Sequence, residues 1–323
     1  MGLTAESAGA GDGPAGGPAT ALRFDGRVAV VTGGGSGLGR RIALTLAQRG
    51  ATVVVNDSRD AALQAAREIT AAGGRGLAAS NDVTDAGQAA ALAETAVRGF
   101  GRIDIVVNCA DAAAGAGNEN RASARLTAAW QVIVSGAFNL LKAAWPEMTA
   151  RGFGRVVNIG ARLDPPAGSQ PAPELPAEVA QAGLAGMTRA LAAAGAQHGI
   201  AVNGLLPVTA GARPGAASPW SDGGTAVPAA VWLAHEDCPA QGRFLLAGPR
   251  RIAEAYTSAA AGYQCPAPRE FSAEHVRAHW PTVNSPAGSI WPTSSAEYNA
   301  FRVAIYEAVV TEPAGLPAAK VTR

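Results

Sequence analysis

The sequence predicts an α/β chain built on a doubly wound parallel sheet of about seven strands. Three observations predict it. Short continuous apolar runs recur, Val28–Thr32 and Thr52–Asn56 among them, and strands of that kind are buried on both faces, as in parallel sheets. Apolar residues at helical spacing, such as Leu38, Ile42 and Leu46, fill the intervals between the runs. The two patterns alternate from Leu22 to about Leu246, which places helices on both sides of one sheet.

Taken in order, Val28–Thr32 is the first strand, and a glycine-rich turn then opens the first helix. Thr52–Asn56 is the second strand, Gly76–Ala79 a weaker candidate, and Asp104–Asn108 another of the strong kind. Gly154–Ile159, Ile200–Leu205 and Arg243–Leu246 complete the set. Leu184, Met187 and Leu191 mark a helix ahead of the Ile200 strand. Residues 206–226 are rich in Gly, Pro and Ser and read as a long mobile loop. Beyond Pro249 strand periodicity is lost, leaving helix candidates at Ala273–Trp280 and Ala296–Val310. The expected organisation is a disordered tail over 1–21, an α/β domain over 22–249 and an appendage over 250–323. Tyr256, Tyr263, Tyr298 and Tyr306, the only tyrosines, all fall in that appendage.

Composition narrows the classes. The 323 residues are 48% hydrophobic, enough for one large domain with trimmings. A net charge of +1 without a basic tract argues against a nucleic-acid partner. Cys109, Cys238 and Cys265 lack metal or CxxC spacing and read as reduced thiols. The first twenty residues carry neither a basic leader region nor an apolar core, and no run is long enough to span a bilayer, so the expectation is a soluble cytoplasmic protein.

Thr32-Gly-Gly-Gly-Ser-Gly-Leu-Gly39 has the context of a Rossmann-type nucleotide site, with a strand before it and a helix after it. Gly33, Gly37 and Gly39 permit the tight turn, and the helix start at Ser36 and Leu38 supplies free N–H groups to a pyrophosphate. Asp57 closes the second strand, where a carboxylate accepts from both ribose hydroxyls of NAD and repels a 2′-phosphate. No basic residue stands at 35, 36 or 58, and Arg59 is the nearest, so NAD is favoured over NADP. Asp82 and Val83 suit an adenine contact, Asp82 alternatively being a helix cap.

These residues resemble the short-chain dehydrogenase/reductase family, whose cofactor motif TGxxxGxG matches Thr32–Gly39. Asp104-Ile-Val-Val-Asn-Cys-Ala-Asp111 is similar to the family's DxxVNNAG, which brings Asn108 and Ala110 into the cofactor site and puts Asp111 in place of a glycine. Gly154–Asn158 and Gly199–Asn203 with Pro207 match two further segments. Within the family, Val53–Asp57, Lys142–Met148, Ala210–Arg213, Trp232–Pro239 and the tail through Trp280 are similar to the (3R)-hydroxyacyl-CoA dehydrogenase part of the type 2 peroxisomal multifunctional enzymes and bacterial relatives. That resemblance implies NAD chemistry on an acyl-CoA or a polycyclic small molecule.

The resemblance also implies four catalytic residues, Asn, Ser, Tyr and Lys, and none is in place. Their positions hold Ile133, Ala161 (or Gly160 if the register slips by one), Ala177 and Gln181. Loss of a positioned acid/base costs about 10²–10⁴ in rate and loss of an oxygen-binding donor about 10²–10³, with the product softened by non-additivity. Polar residues expected near the pocket mouth are Asp111, Ser135, Arg162, Asp164, Glu174 and Glu178. The reading is a non-catalytic or regulatory NAD-binding subunit, a homo-oligomer or a hetero-oligomer with an active homologue. It would pack through Trp130, Phe138, Leu141, Trp145, Met187 and Leu191. The alternatives are an enzyme of altered chemistry (dehydration, isomerisation or cyclisation through Glu178 and Asp164) or a weak NAD-dependent oxidoreductase.

Overall fold

Every residue of Val28–Thr32 (β1), Thr52–Asn56 (β2) and Ile105–Asn108 (β4) is buried, and these runs form the middle of one sheet. Arg75–Ala79 (β3), Gly154–Ile159 (β5), Ile200–Pro207 (β6), Phe244–Gly248 (β7) and Arg251–Ala255 (β8) complete it in the order β3-β2-β1-β4-β5-β6-β7-β8. The computed structural model describes residues 21–111, 122–160, 175–207, 224–248, 250–264, 272–290 and 300. All strand pairs are parallel except β7 with β8, an antiparallel edge strand beyond the seven that the sequence suggested.

Side chains alternate across the pleat, so each buried strand feeds two cores. Ala29, Val31, Val53, Val55, Ile105 and Val107 meet one set of helices: α1 (Gly37–Gln48), α2 (Arg59–Ala71) and α7 (Ala226–Leu233). Val28, Val30, Val54, Val106 and Val156 meet the other: α3 (Ala86–Phe100) and α5 (Ala137–Arg151), joined by Ala192 of α6 (Leu175–Gly195). Helix α3 starts at Asp85, whose carboxylate accepts from the Gln88 N–H at 2.8 Å.

Helix α4 (Ala122–Trp130) runs into α5 through a π-helical stretch, Gln131–Gly136, which packs Ile133 against Ala180 and Leu184 of α6 in a third, smaller core. Single π turns of this kind frequently mark functional positions. The appendage contributes α8 (Ala273–Ala278) and α9 (Trp280–Val283), both within the expected stretch or just past it. The helix expected over 296–310 lies outside the described residues apart from Ala300, as do 1–20 and the middle of the 206–226 loop, 208–223. Among the described residues no helix is long and apolar enough to cross a membrane.

Candidate functional site

The strand order reverses between β1 and β4, and a crevice necessarily opens beyond the strand ends at such a switch point. A cleft of about 570 Å³ lies there, lined by the ends of β1, β2, β4, β5 and β6 and the start of α1. Of the residues expected at the nucleotide, Gly33, Ser36, Gly37, Leu38, Gly39, Asp57, Asp82, Val83 and Ala110 all line it. Thr32 and Asn108 do not. Thr32 is buried, and its hydroxyl oxygen accepts from the backbone N–H groups of Cys109 (3.1 Å) and Ala110 (3.2 Å), tying the end of β1 to the end of β4.

The glycine turn tests whether a dinucleotide fits. A Cβ on Gly39 would fall 2.1 Å from the Gly33 carbonyl oxygen, and one on Gly33 would fall 2.6 Å from that of Cys109, so both positions exclude any side chain. At Gly37 the backbone is left-handed (φ +50°) and a Cβ would meet nothing within 4 Å, which leaves the approach to the helix start open. Ser36 makes no side-chain cap, and no acidic residue stands in the first turn of α1. The first N–H groups of α1 therefore keep their positive end uncompensated, as anion binding at a helix start requires. The residues fit the group.

Asp57 braces the same turn. One carboxylate oxygen accepts from the Gly35 N–H at 2.9 Å and the other from the Ser58 N–H at 2.7 Å. A carboxylate has about four acceptor sites, so two remain for ribose hydroxyls. Asp82 is not the cap of α3, a role held by Asp85. Its Oδ1 accepts from the Thr84 hydroxyl at 2.7 Å and the Thr84 N–H at 2.9 Å, and those bonds hold the carboxyl below its ordinary range. Asn139 of α5 donates to the Val83 carbonyl at 3.1 Å, which fixes this wall from behind. Asn56, Asn81 and Thr84 also line the cleft and were missed in the sequence reading. Asn56 adjoins Asp57, and Asn81 and Thr84 flank the Asp82-Val83 pair, so adjacency to the expected residues was the available signal.

The other end of the cleft is where proton-transfer groups were sought. Ile133, Gly160 and Gln181 line it, with Val132, Ile159, Leu206 and Pro207. Gly160 has φ +86°, and a Cβ there would lie 3.5 Å from the Gln181 side-chain nitrogen, so loop and helix meet closely. Ala177 is half-buried on α6 one turn before Gln181 and does not line the cleft. Glu178 and Ser135 are half-buried and do not line it either, whereas Asp111 is exposed and does. Ala161, Arg162, Asp164 and Glu174 lie outside the described residues. Tyr263 stacks on His279, ring centroids 3.7 Å apart, and Tyr256 is exposed; neither reaches the cleft, and Tyr298 and Tyr306 are outside the described residues.

A buried chain of polar groups runs behind this end. The Asn108 amide donates to Asn158 at 2.8 Å, the Asn158 amide donates to Thr188 at 2.8 Å, and the Thr188 hydroxyl donates to the Leu184 carbonyl at 2.7 Å. It ties β4 and β5 to α6, the helix that carries Gln181. Of the six residues expected to pack against a second subunit, only Trp130 and Phe138 are exposed. Leu141 is buried and Trp145 and Leu191 pack against the same core, while Met187 packs against the third, because α5 and α6 turn those positions inward.

Comparison with known proteins places this geometry. The family model for short chain dehydrogenases matches residues 27–213. Peroxisomal multifunctional enzyme type 2 of Drosophila melanogaster is 34% identical over 69% of this chain, which spans 39% of that enzyme's length. The full-length structure of that enzyme superposes with a TM-score of 0.71 at 25% identity, covering 89% of this chain and 51% of that one. A (2S)-[(R)-hydroxy(phenyl)methyl]succinyl-CoA dehydrogenase subunit of Thauera aromatica is 36% identical over 56% of this chain and 72% of its own length. A 7α-hydroxysteroid dehydrogenase complexed with NADH and 7-oxo glycochenodeoxycholic acid superposes with a TM-score of 0.59 at 27% identity, over 70% of this chain and 94% of that one.

Proposed function

The chain belongs to the short-chain dehydrogenase family, and from that membership we propose that it keeps the family's nucleotide cradle and serves as a non-catalytic subunit beside an active homologue acting on a hydroxyacyl-CoA or a related alcohol. One observation carries the reading. A single cleft joins Gly33, Gly37, Gly39 and Asp57 at one end to Ile133, Gly160 and Gln181 at the other. The first group suits NAD. The second offers an isoleucine, a glycine and an amide where the resemblance implies a water-anchoring Asn, an oxygen-binding Ser (in the register slipped by one) and a Lys, and the Tyr position holds Ala177.

NAD, when bound, supplies hydride transfer at its nicotinamide. Around it the chain's residues do separable work. The α1 start faces the pyrophosphate, Asp57 takes the adenosine ribose hydroxyls, and Val83 with Asp82 borders the adenine. Gln181, at the position where the resemblance implies a lysine, carries no charge and exchanges no proton near neutrality, because it is an amide. The Thauera relative, a dehydrogenase subunit by name, supports a place within a heteromeric enzyme.

The test has two parts. Calorimetric titration with NAD is expected to show saturable one-site binding. Incubation with NAD and 3-hydroxyacyl-CoA is expected to leave absorbance at 340 nm unchanged until an active homologue that co-purifies with the chain is added. NADH formation that persists through further purification of the chain alone would overturn the non-catalytic reading.

A further inference from the structure

The stretch Gln131–Gly136 serves both ends of the cleft. At the far end Val132 and Ile133 line the wall together with Gln181 of α6. At the adenine end Gly136 meets Val83: a Cβ on Gly136 would fall 2.8 Å from the Val83 side chain, so the helix comes this close only through a glycine. Trp130 immediately precedes the stretch and does not line the cleft. It has a contact of its own. A Cβ on Gly183 of α6 would fall 2.8 and 3.0 Å from two atoms of the Trp130 six-membered ring, and 3.4 Å from the Val134 side chain. The indole therefore rests directly on the α6 backbone, two residues along from Gln181. Ile133 packs against Ala180 and Leu184 of the same helix. The spacing of the two elements that wall the far end is set where the ring meets Gly183.

We propose that Trp130 is a positioning residue of the cleft: seated on Gly183, it fixes how far Val132 and Ile133 stand from Gln181, without touching what binds between them. The inference deepens the reading of the cleft as an NAD site and rests on it. Close-packed elements pass a displacement on and do not absorb it, so moving the ring moves the far wall. The adenine end is anchored separately, through Gly136 on Val83 and Asn139 on the Val83 carbonyl. The function added is control from outside. The ring is 43% exposed, so a group that covers or lifts it alters the grip on the nicotinamide half and leaves the adenosine half in place.

The experiment titrates the full chain and its variants calorimetrically with NAD and with ADP, which reaches only the adenine and pyrophosphate end. Gly183→Ala lifts the ring and Trp130→Ala removes it. Each is expected to weaken NAD by about fivefold or more and to leave ADP affinity in place, the size typical when residues outside a site bias it. Trp130→Phe keeps a ring on Gly183 and should restore most of the NAD affinity. Failure of both ligands to bind the parent chain sinks the nucleotide reading itself. Normal ADP binding with NAD unmoved in Gly183→Ala and Trp130→Ala overturns the role of Trp130 alone. Equal losses of NAD and ADP in those variants overturn it too, since the whole fold and not the far end has then loosened.

Discussion

Cys109 follows the last residue of β4, and its carbonyl oxygen is the atom that forbids a side chain at Gly33. Its thiol is pushed up to about 12 from an ordinary 9.0, first by burial and then by the Asp111 and Asp57 carboxylates. The thiolate is the reactive species, so at pH 8 Cys109 should label with iodoacetamide roughly a thousandfold more slowly than in the unfolded chain, as read by peptide mapping. The sign of its pH linkage follows. The unfolded thiol loses its proton as pH passes about 9, whereas the folded one keeps it to about 12. The folded state is therefore favoured below pH 9 and loses that advantage as pH rises through the interval. Cys109→Ala should flatten the fall in melting temperature between pH 9 and pH 11, measured against the parent chain. Fast labelling at pH 8 would contradict the buried, acidic setting. In the sequence Cys109 was legible only as a reduced thiol: Asp111 stands two residues away, but the burial and the approach of Asp57 from the end of β2 are set by the fold. Asp57 and the glycines were legible for the opposite reason: their role is carried by one contiguous strand, turn and helix.

The element that sets the far end of the cleft is α6, and Thr188 is its anchor. Residues 181, 184 and 188 share one face of the helix at i, i+3 and i+7, so a bond made at Thr188 fixes the direction of Gln181 two turns away. Thr188→Val keeps the shape and removes the hydroxyl, leaving the buried Asn158 amide without its acceptor. An unsatisfied buried donor costs about 1–3 kcal/mol, so urea midpoints should fall accordingly, and Thr188→Ser should restore them. A neutral Thr188→Val would show that the polar chain from Asn108 does not hold the helix. The elements themselves were unequally legible. β1, β2 and β4 are buried along their whole length and read as unbroken apolar runs. β8 pairs on one side only, and three of its five residues, Arg251, Ile252 and Glu254, are exposed. An edge strand with that exposure needs no apolar run, so Arg251-Ile-Ala-Glu-Ala255 carried no strand pattern. β3, the other edge, was faint for the same reason. The π stretch at Gln131–Gly136 was hidden too, since apolar spacing does not distinguish it from the helices it joins.

Across the whole molecule the two ends of the sheet divide the labour. At the start of β4, Asp104 is fully buried and accepts from the Val28 N–H at 2.9 Å and from Arg102 at 2.7 and 2.5 Å, with Arg27 at 3.4 Å. That clamp fixes the strands at the end opposite the cleft. The layer of α4, α5 and α6 beside the cleft has a different character. Trp130 is 43% exposed and Phe138 47%, and Leu126, Leu175 and Val179 on the same three helices are exposed as well. Monomers rarely leave a large apolar patch in water, and burying one aromatic side chain is worth about 1.5–3 kcal/mol. A second copy of the chain, or the active homologue of the proposed function, would cover this layer. Light scattering of the purified chain is therefore expected to give a dimer or tetramer, or a complex with the homologue. Phe138→Glu places a charge in the middle of the contact and should release monomers, yet it should leave the melting temperature of the isolated subunit close to that of the parent, since the side chain is nearly half in solvent already. The three outcomes separate cleanly. Release of a folded monomer supports the interface; an unchanged oligomer moves the contact to another surface; and a parent chain that is monodisperse and monomeric at micromolar concentration removes the subunit role, because a silent subunit with nothing to bind has no means of acting.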